Sequence, residues 1–402
     1  MNTSERITNE LIREQASIWY INDVFGAKIM VKINGSVIKS LYKGVKFEFL
    51  FGRDNNIMPA IFHKGFRVHD DPIHYISLTG TDRFADEHTS LLAIMNRTYT
   101  YIHFHDELNV CVATAKLCFS LADQIKIINL LGSLSNLYVG DFDEDTAQSL
   151  NCFDYSLGIE NNLKIVYKID TEVITGTISE WHVMNNTFVG VSHVQKDISI
   201  DAKDEGGILE QQVHAVLDSL FLKKVFRNPQ FYTKSKLREF TDIFAHYHNG
   251  VFLIETKALG IIESSEDKGM DRKVSGLQKQ ISKGINQLKG AVKKIHGDIP
   301  IYDRNKIKIE FKKVNLPHSI VLVSELFPFG NWKGIELAMF EAMSETKMYL
   351  NVMDLREFMK YIGNARGDKD LLNLMLIERV EKFVEQQNIH MRLNVIKKTD
   401  KD

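Results

Sequence analysis

The stretch Leu237–Lys257, given with one flanking residue on each side, reads KLREFTDIFAHYHNGVFLIETKA. Its first arm, Phe240–Ala245, leans apolar and leads to Asn249-Gly250, a dipeptide typical of tight hairpin turns. The returning arm, Val251–Ile254, has no polar residue, which indicates a strand covered on both faces. The pattern therefore predicts a β-hairpin inside an α/β domain.

Charged side chains follow directly at the end of this apolar arm, in Glu255-Thr256-Lys257. Charges at the end of a buried strand are costly unless they pair with each other, with a metal or with a substrate. Because side chains alternate along a strand, Glu255 and Lys257 point to the same face. Asp242 lies on the other arm and comes alongside when the hairpin closes. Two carboxylates and an ammonium are therefore predicted to converge.

Such a cluster suits the hydrolysis of a phosphodiester bond. Two carboxylates can hold Mg²⁺ or Mn²⁺ beside the scissile phosphate, with waters as the other ligands. The metal offsets charge in the transition state and lowers the pKa of a bound water. The lysine can orient that water or stabilise the developing charge.

Asp242, Glu255 and Lys257 resemble the signature of the PD-(D/E)xK nuclease superfamily, which has the restriction-endonuclease-like fold. Thr241 stands where the proline of the motif would be, a position that varies widely in the superfamily. The resemblance implies an α/β fold (α+β overall), in which a C-terminal mixed sheet flanked by helices follows an α+β N-terminal domain. It covers about residues 205–300 by motif.

The helices on either side of the hairpin carry further candidates. On the predicted helix Ile208–Leu222, Glu210 falls on the apolar stripe of Val213, Leu217 and Phe221. The resemblance implies that Glu210 assists the metal, whereas the plainer alternative is a first-turn glutamate favoured by the helix dipole. On the helix after the hairpin, the resemblance implies a glutamine or lysine beside the site, with Gln287 the first choice and Gln280 the second.

That second helix, predicted over about Arg272–His296, is strongly basic. Between Asp271 and Asp298 it has no acid and seven basic residues, in a chain of net charge −2. Concentrated basic charge suits phosphate backbones, although a solvated basic face is the plain alternative. The residues predicted to contact nucleic acid are Arg272, Lys273, Lys279 and Lys283.

Two rival matches to the (D/E)xK pattern are weaker. Glu310-Phe311-Lys312 lies in the alternating segment IKIEFKK, which predicts a half-exposed strand with both charges facing water. Glu345-Thr346-Lys347 follows a predicted helix and therefore ends no buried strand. A structural ion pair of Glu255 with Lys257 or Arg238 remains the plain alternative to a catalytic role.

Composition limits the class of protein. The 402 residues, 44% of them hydrophobic and 25% charged, are typical of a soluble globular protein of more than one domain. No apolar run is long enough for a membrane span, and three cysteines without CxxC spacing favour a reducing cytoplasm. The predicted domains are 1–200, an α+β sensor or structural module, and 205–402, the nuclease domain, with a linker at 201–207.

Within the first domain, two local patterns yield predictions. Residues 28–33 and 36–41 flank Asn34-Gly35 and are predicted to form a second hairpin. His103 and His105 share one face of a predicted strand, a spacing that a metal could use. An exposed polar face is favoured there, because no further ligand stands at a readable distance.

The function expected from these features is that of a Mg²⁺- or Mn²⁺-dependent nuclease that cuts DNA internally. The alternatives are an RNA nuclease, and a nucleic-acid-binding or scaffold protein with an inactive nuclease fold. The resemblance makes bacterial defence against phage the expected setting, which is an argument by analogy. A homodimer, or a partner protein bound through the N-terminal domain, is the expected assembly.

Overall fold

The structure is a computed structural model that describes residues 3–69, 75–159, 166–189, 195–234, 236–260 and 270–393. These residues form a mixed α/β protein of two compact units, Met1–Met184 and Asn185–Asp402. None of the described helices has both the length and the apolarity needed to cross a bilayer.

The first unit is built from two sheets and the helices that pack on them. Its five-stranded sheet has the order β1-β2-β6-β7-β9, and its four-stranded sheet has the order β5-β4-β3-β8. The elements, in chain order, are α1 (Thr3–Arg13), β1 (Ser17–Asp23), β2 (Gly26–Lys32), α2 (Gly35–Tyr42), β3 (Phe47–Asp54), β4 (Ile61–Val68), β5 (Ile76–Asp82), α3 (Ala85–Met95), β6 (Thr100–His105), β7 (Cys111–Cys118), α4 (Leu121–Leu131), a 3-10 helix (Leu134–Asn136), α5 (Glu144–Ser156), β8 (Asp170–Ile174) and β9 (Thr177–Val183).

The hairpin predicted around Asn34-Gly35 is wrong, because α2 begins at this point. The carbonyl of Asn34 accepts hydrogen bonds from the backbone N–H groups of Val37 (3.0 Å) and Ile38 (3.1 Å), which starts the helix. Val37, Ile38 and Leu41 are all buried. Leu41 follows Val37 by four residues and Ile38 by three, so the three side chains share one face of a helix. The helical period of the apolar residues outweighed the turn signal of the dipeptide.

The second unit has a five-stranded sheet, a three-stranded sheet and a two-stranded sheet. Its elements are β10 (Asn186–Val189), β11 (Gln195–Ile198), α6 (Glu205–Phe221), β12 (Val225–Arg227), β13 (Gln230–Thr233), β14 (Lys236–Glu239), β15 (Ile243–His246), β16 (Val251–Lys257), α7 (Met270–His296), β17 (Ile301–Tyr302), β18 (His318–Val323), α8 (Lys333–Thr346), β19 (Tyr349–Asp354), α9 (Leu355–Ala365) and α10 (Lys369–Gln386).

The predicted central hairpin is confirmed. Strands β15 and β16 pair antiparallel, with Ile243 opposite Ile254 and His246 opposite Val251. They lie within the mixed sheet β12-β15-β16-β18-β19, in which β16 and β18 run parallel. Every residue of β16 before Lys257 is buried, so the strand is covered on both faces as expected.

Alternation along β16 decides which helices face the charged end of this strand. Val251 and Leu253 pack into a core with α7 and α8, whereas Phe252 and Ile254 pack into a second core with α6, α9 and α10. Continuing the same alternation places Glu255 and Lys257 on the α7 side of the sheet. The basic helix therefore lies over the face on which the acids and the lysine converge.

Candidate active site

The structure brings Asp242, Glu255 and Lys257 together at the end of β16. The Nζ atom of Lys257 lies 2.9 Å from Oε2 of Glu255 and 3.5 Å from Oδ2 of Asp242. The same Oδ2 atom accepts hydrogen bonds from the backbone N–H (2.7 Å) and the hydroxyl (3.1 Å) of Thr256. One ammonium therefore stands between two carboxylates, in the arrangement that the hairpin sequence predicts.

Burial and mutual repulsion change the ionisation of this cluster. Glu255 is only 1% exposed, and its burial together with the charge of Asp242 raises its pKa to about 7. The pKa of Lys257 is raised as well: burial opposes the charged form, but Glu255 and Asp242 together outweigh it. The lysine is therefore a charged hydrogen-bond donor, and Glu255 changes between its protonated and ionised forms near neutral pH.

Backbone contacts hold Asp242 in place from both sides. The hydroxyl of Thr241 donates to the carbonyl of Ile254 (3.0 Å), a bond that a proline at this position could not make. The backbone N–H of Asn228 donates to the carbonyl of Asp242 (2.7 Å). The departure from the family motif at Thr241 therefore adds a buried hydrogen bond across the hairpin and stabilises the local geometry.

A cleft of about 310 Å³ opens at this cluster. Glu255 forms part of its wall, and Gln287 of α7 forms another part. Gln287 thus lies where the sequence places it, beside the acidic cluster. Gln280 is exposed and is not among the residues that line the cleft, which are Phe231, Arg238, Glu239, Phe240, Thr241, Glu255, Asn286, Gln287, Gly290 and Lys294.

Gly284 allows α7 to approach the strands closely. A Cβ atom at this position would lie 3.0 Å from Cγ1 of Val321 and 3.5 Å from Cε of Lys257. Helix, strand β18 and the stem of the lysine therefore meet at one glycine. The close approach is what carries Gln287, one turn further along the helix, to the wall of the cleft.

Replacing Gly284 with alanine is expected to lower the free energy of unfolding by about 1 to 3 kcal/mol, because its methyl group would lie only 3.0 and 3.2 Å from the two Cγ atoms of buried Val321. Gly276 of the same helix is the matched control, since nothing lies within 4 Å of its Cβ position. Gly276→Ala should instead stabilise the protein by about 0.5 to 1 kcal/mol through helix propensity. Urea unfolding of both variants measures the difference, and equal effects would contradict this packing.

Glu210 lies close to the acidic cluster but has its own partner. Its Oε2 atom accepts from Nε of Arg227 at 3.0 Å, and its charge contributes to raising the pKa of Glu239. Among the described residues, no group of three or more His, Cys, Asp and Glu side chains is arranged to hold a metal ion. The role of Glu210 at a metal therefore stays a prediction.

Asp242 and Glu255 nevertheless fit a divalent cation by their chemistry. The charge of Asp242 disfavours ionised Glu255, and a bound cation would relieve this repulsion. Mg²⁺ keeps most of its waters and is often held by only one or two carboxylates together with substrate phosphates. The two residues would hold Mg²⁺ or Mn²⁺ in this way.

Three charged residues of the cleft were not predicted as site residues: Arg238, Glu239 and Lys294. Arg238 and Glu239 belong to β14, which pairs with β13, and β13 pairs in turn with β17. The pKa of Glu239 is raised by its desolvation and by the charges of Asp242 and Glu210. Lys294 lies over the ring of Phe231, with 4.5 Å between Nζ and the ring centroid. Arg238 and Glu239 were signalled only by their proximity to the motif, and Lys294 only by its place on the basic helix.

The predicted nucleic-acid contacts on α7 differ in their surroundings. Arg272, Lys279 and Lys283 are exposed, and Lys273 is half-buried. Further along, Lys289 and Lys293 both pair with Glu345, at 2.5 and 2.7 Å. Glu345 belongs to the second rival motif, and this contact ties α8 to α7. The cations nearest the start of α7 are therefore the ones most open to a ligand.

The first rival motif lies at the surface. Glu310 and Lys312 are exposed, as expected, but the strand predicted around them is wrong. Ile307, predicted to face the core, is 64% exposed. The carboxylate of Asp303 accepts from the backbone N–H groups of Asn305 (2.9 Å) and Ile307 (2.8 Å), and this turn replaces the strand.

Comparisons of the chain with models of protein families, with curated proteins and with solved structures found no match. The functional argument therefore depends on the residues themselves and on their geometry.

Proposed function

We propose that the second unit is a Mg²⁺- or Mn²⁺-dependent nuclease with a restriction-endonuclease-like fold, and that it cuts DNA internally. The observation that carries the proposal is the convergence of Asp242, Glu255 and Lys257 at the end of a buried strand, where Glu255 forms part of the wall of a cleft. A mixed sheet with helices on both faces supports the fold.

Each residue of the cluster has a role that its surroundings support. Asp242 and Glu255 would hold the metal, which when bound offsets phosphate charge and lowers the pKa of a bound water. Lys257 is charged because two carboxylates face it, so it donates hydrogen bonds rather than accepting a proton. It would orient the attacking water or stabilise charge on the phosphate.

The neighbouring residues would position the substrate. Gln287, which also lines the cleft, can hydrogen-bond a phosphate oxygen or the attacking water through its amide. Arg238 and Lys294 line the same cleft and supply positive charge beside the acids. The exposed cations Lys279 and Lys283 on α7 would contact the backbone of the nucleic acid beyond the cleft.

Cleavage assays test this function directly. Purified protein is incubated with supercoiled plasmid, linear duplex, single-stranded DNA and RNA, each with Mg²⁺, Mn²⁺ or EDTA, beside the variant Asp242→Asn. We expect nicked or linear plasmid with either metal, none with EDTA, and none with the variant. Cleavage in EDTA, or undiminished cleavage by Asp242→Asn, would contradict the proposed site.

The two alternatives predict different results in the same assays. A nuclease specific for RNA would degrade RNA and leave every DNA substrate intact. A scaffold protein would cut nothing. Titration calorimetry would also find no Mn²⁺ site in it that depends on Glu255, so Glu255→Ala would leave the titration unchanged. The complete set of acidic and lysine positions favours the active enzyme over the scaffold.

A further inference from the structure

One face of the five-stranded sheet in the first unit lines a cleft. Lys28 of β2 is paired with Tyr101 of β6, and His103 of β6 is paired with Thr114 of β7. Directly paired residues point to the same side of a sheet, as do residues two apart on one strand, so these four side chains share a face. The residue between the two on β6, Ile102, is fully buried on the opposite face.

Together with residues of two neighbouring turns, this face encloses a cleft of about 740 Å³. Phe25 enters it from the turn between β1 and β2, and Arg97 and Tyr99 enter it from the turn before β6. Small-molecule sites commonly have volumes of roughly 300 to 1,000 Å³. The cleft therefore has room for a ligand of the size of a nucleotide.

Aromatic rings are unusually exposed at this cleft. Phe25 is 90% exposed, Tyr99 44% and Tyr101 46%, and all three line it. The rings of Tyr99 and Tyr101 stand edge to face, with 5.8 Å between their centroids. Aromatic side chains gain most from being buried, so exposed rings gathered in a cleft favour a ligand with a flat apolar surface.

The charged groups of the cleft are cations. Lys28 and Arg97 line it, and no Asp or Glu is among the described residues that do so. Lys28 pairs with Asp23 at the end of β1. Arg97, in contrast, has no acidic partner within the described part of the chain.

Backbone groups hold Arg97 in position. Its guanidinium donates to the carbonyl of Ala27 (3.5 Å) and lies 2.7 Å from where a Cβ of Gly26 would be, so a side chain at this position would displace it. Gly26 also has φ of +102°, a conformation that favours glycine. An unpaired guanidinium fixed in this way is suited to an anionic group, above all a phosphate.

We propose that this cleft binds a nucleotide unit, with the base stacked on Tyr101 and the phosphate held by Arg97. His103 stays neutral near pH 7, because burial and the charge of Lys28 lower its pKa, and it offers the base one donor and one acceptor. A free nucleotide and a single strand of nucleic acid present the same chemistry. The site lies wholly in the first unit and does not depend on the proposed nuclease.

Binding measurements on the full chain test the proposal. The chain is kept in EDTA, which prevents metal-dependent cleavage. A labelled single-stranded oligonucleotide is followed by fluorescence anisotropy, and AMP and ATP are titrated by calorimetry. Tyr101→Ala should weaken binding about tenfold, as expected for one lost stacking contact. Arg97→Gln should weaken it and reduce its dependence on salt.

Matched variants separate binding from folding. Tyr101→Phe keeps the ring and should bind like the parent protein, and Tyr155→Ala removes an equally exposed tyrosine (44%) elsewhere in the unit and should have no effect. Duplex DNA hides its bases, so its binding should not change in Tyr101→Ala. Calorimetric binding of AMP or ATP identifies a free nucleotide as the ligand, whereas binding of the oligonucleotide alone identifies a single strand. Binding of neither probe, or binding that both Tyr101→Ala and Arg97→Gln leave unchanged, would overturn the proposal.

Discussion

Replacing Lys257 with alanine is expected to reduce metal-dependent cleavage of plasmid DNA by roughly 10²- to 10³-fold, the usual loss when one charge-stabilising donor is removed. The physical reason is that Nζ of Lys257 is the ammonium that faces both Glu255 and Asp242, at 2.9 and 3.5 Å. Initial rates of plasmid nicking at saturating Mg²⁺ measure the effect. The binding of DNA should change much less than the rate.

Two further variants make this result interpretable. Lys312→Ala removes the exposed lysine of the rival Glu310-Phe311-Lys312 motif and should cleave at the wild-type rate. Lys257→Ala itself leaves buried Glu255 and half-buried Asp242 without a cation, which destabilises the metal-free protein. Thermal unfolding in Mg²⁺ therefore has to accompany the rates. A folded Lys257→Ala protein that cleaves as fast as the Lys312→Ala variant would sink the catalytic assignment and favour a structural ion pair.

The central hairpin could be predicted because its signals are local. Asn249-Gly250 fixes the turn, the apolar run Val251–Ile254 fixes the strand, and alternation then fixes the direction of Glu255. The choice of Gln287 over Gln280 was harder. The two residues are two helical turns apart and share a flank of α7, so periodicity cannot separate them. Their separation along the helix axis, about 10 Å, decides which one reaches the cleft.

The features that the sequence did not disclose depend on contacts between distant residues. Glu239 and Arg238 reach the cleft because β14 pairs with β13, and β13 pairs with β17, some seventy residues further along the chain. Short strands of this kind carry too few residues for a visible alternation. The salt bridges of Lys289 and Lys293 with Glu345 likewise join two helices. From the sequence alone these lysines were equivalent to Lys283.

The raised pKa of Glu255 predicts how the stability of the metal-free protein depends on pH. Its pKa is about 7 in the folded state and near 4.5 for an unperturbed glutamate, so the folded state binds more protons between these values. The contribution of Glu255 to the free energy of unfolding is therefore greatest below about pH 4.5, and it is lost as the pH rises through 7. Relative to Glu255→Gln, which cannot titrate, the loss should be on the order of 2 kcal/mol. Urea unfolding in EDTA across this range measures it.

The same ionisation links metal binding to the release of protons. A divalent cation binds the ionised carboxylate, so Mn²⁺ binding below pH 7 should release a proton from Glu255 and tighten as the pH rises, by up to about tenfold per pH unit. Calorimetry in buffers of different ionisation enthalpy counts the protons released. Glu255→Gln should lose this binding, whereas Glu310→Gln, an exposed control, should retain it. An affinity for Mn²⁺ that is independent of pH would mean that Glu255 does not hold the metal. Glu255 is buried beside Asp242 and Lys257, and it must lose its proton when it binds a cation. This loss makes the affinity depend on pH.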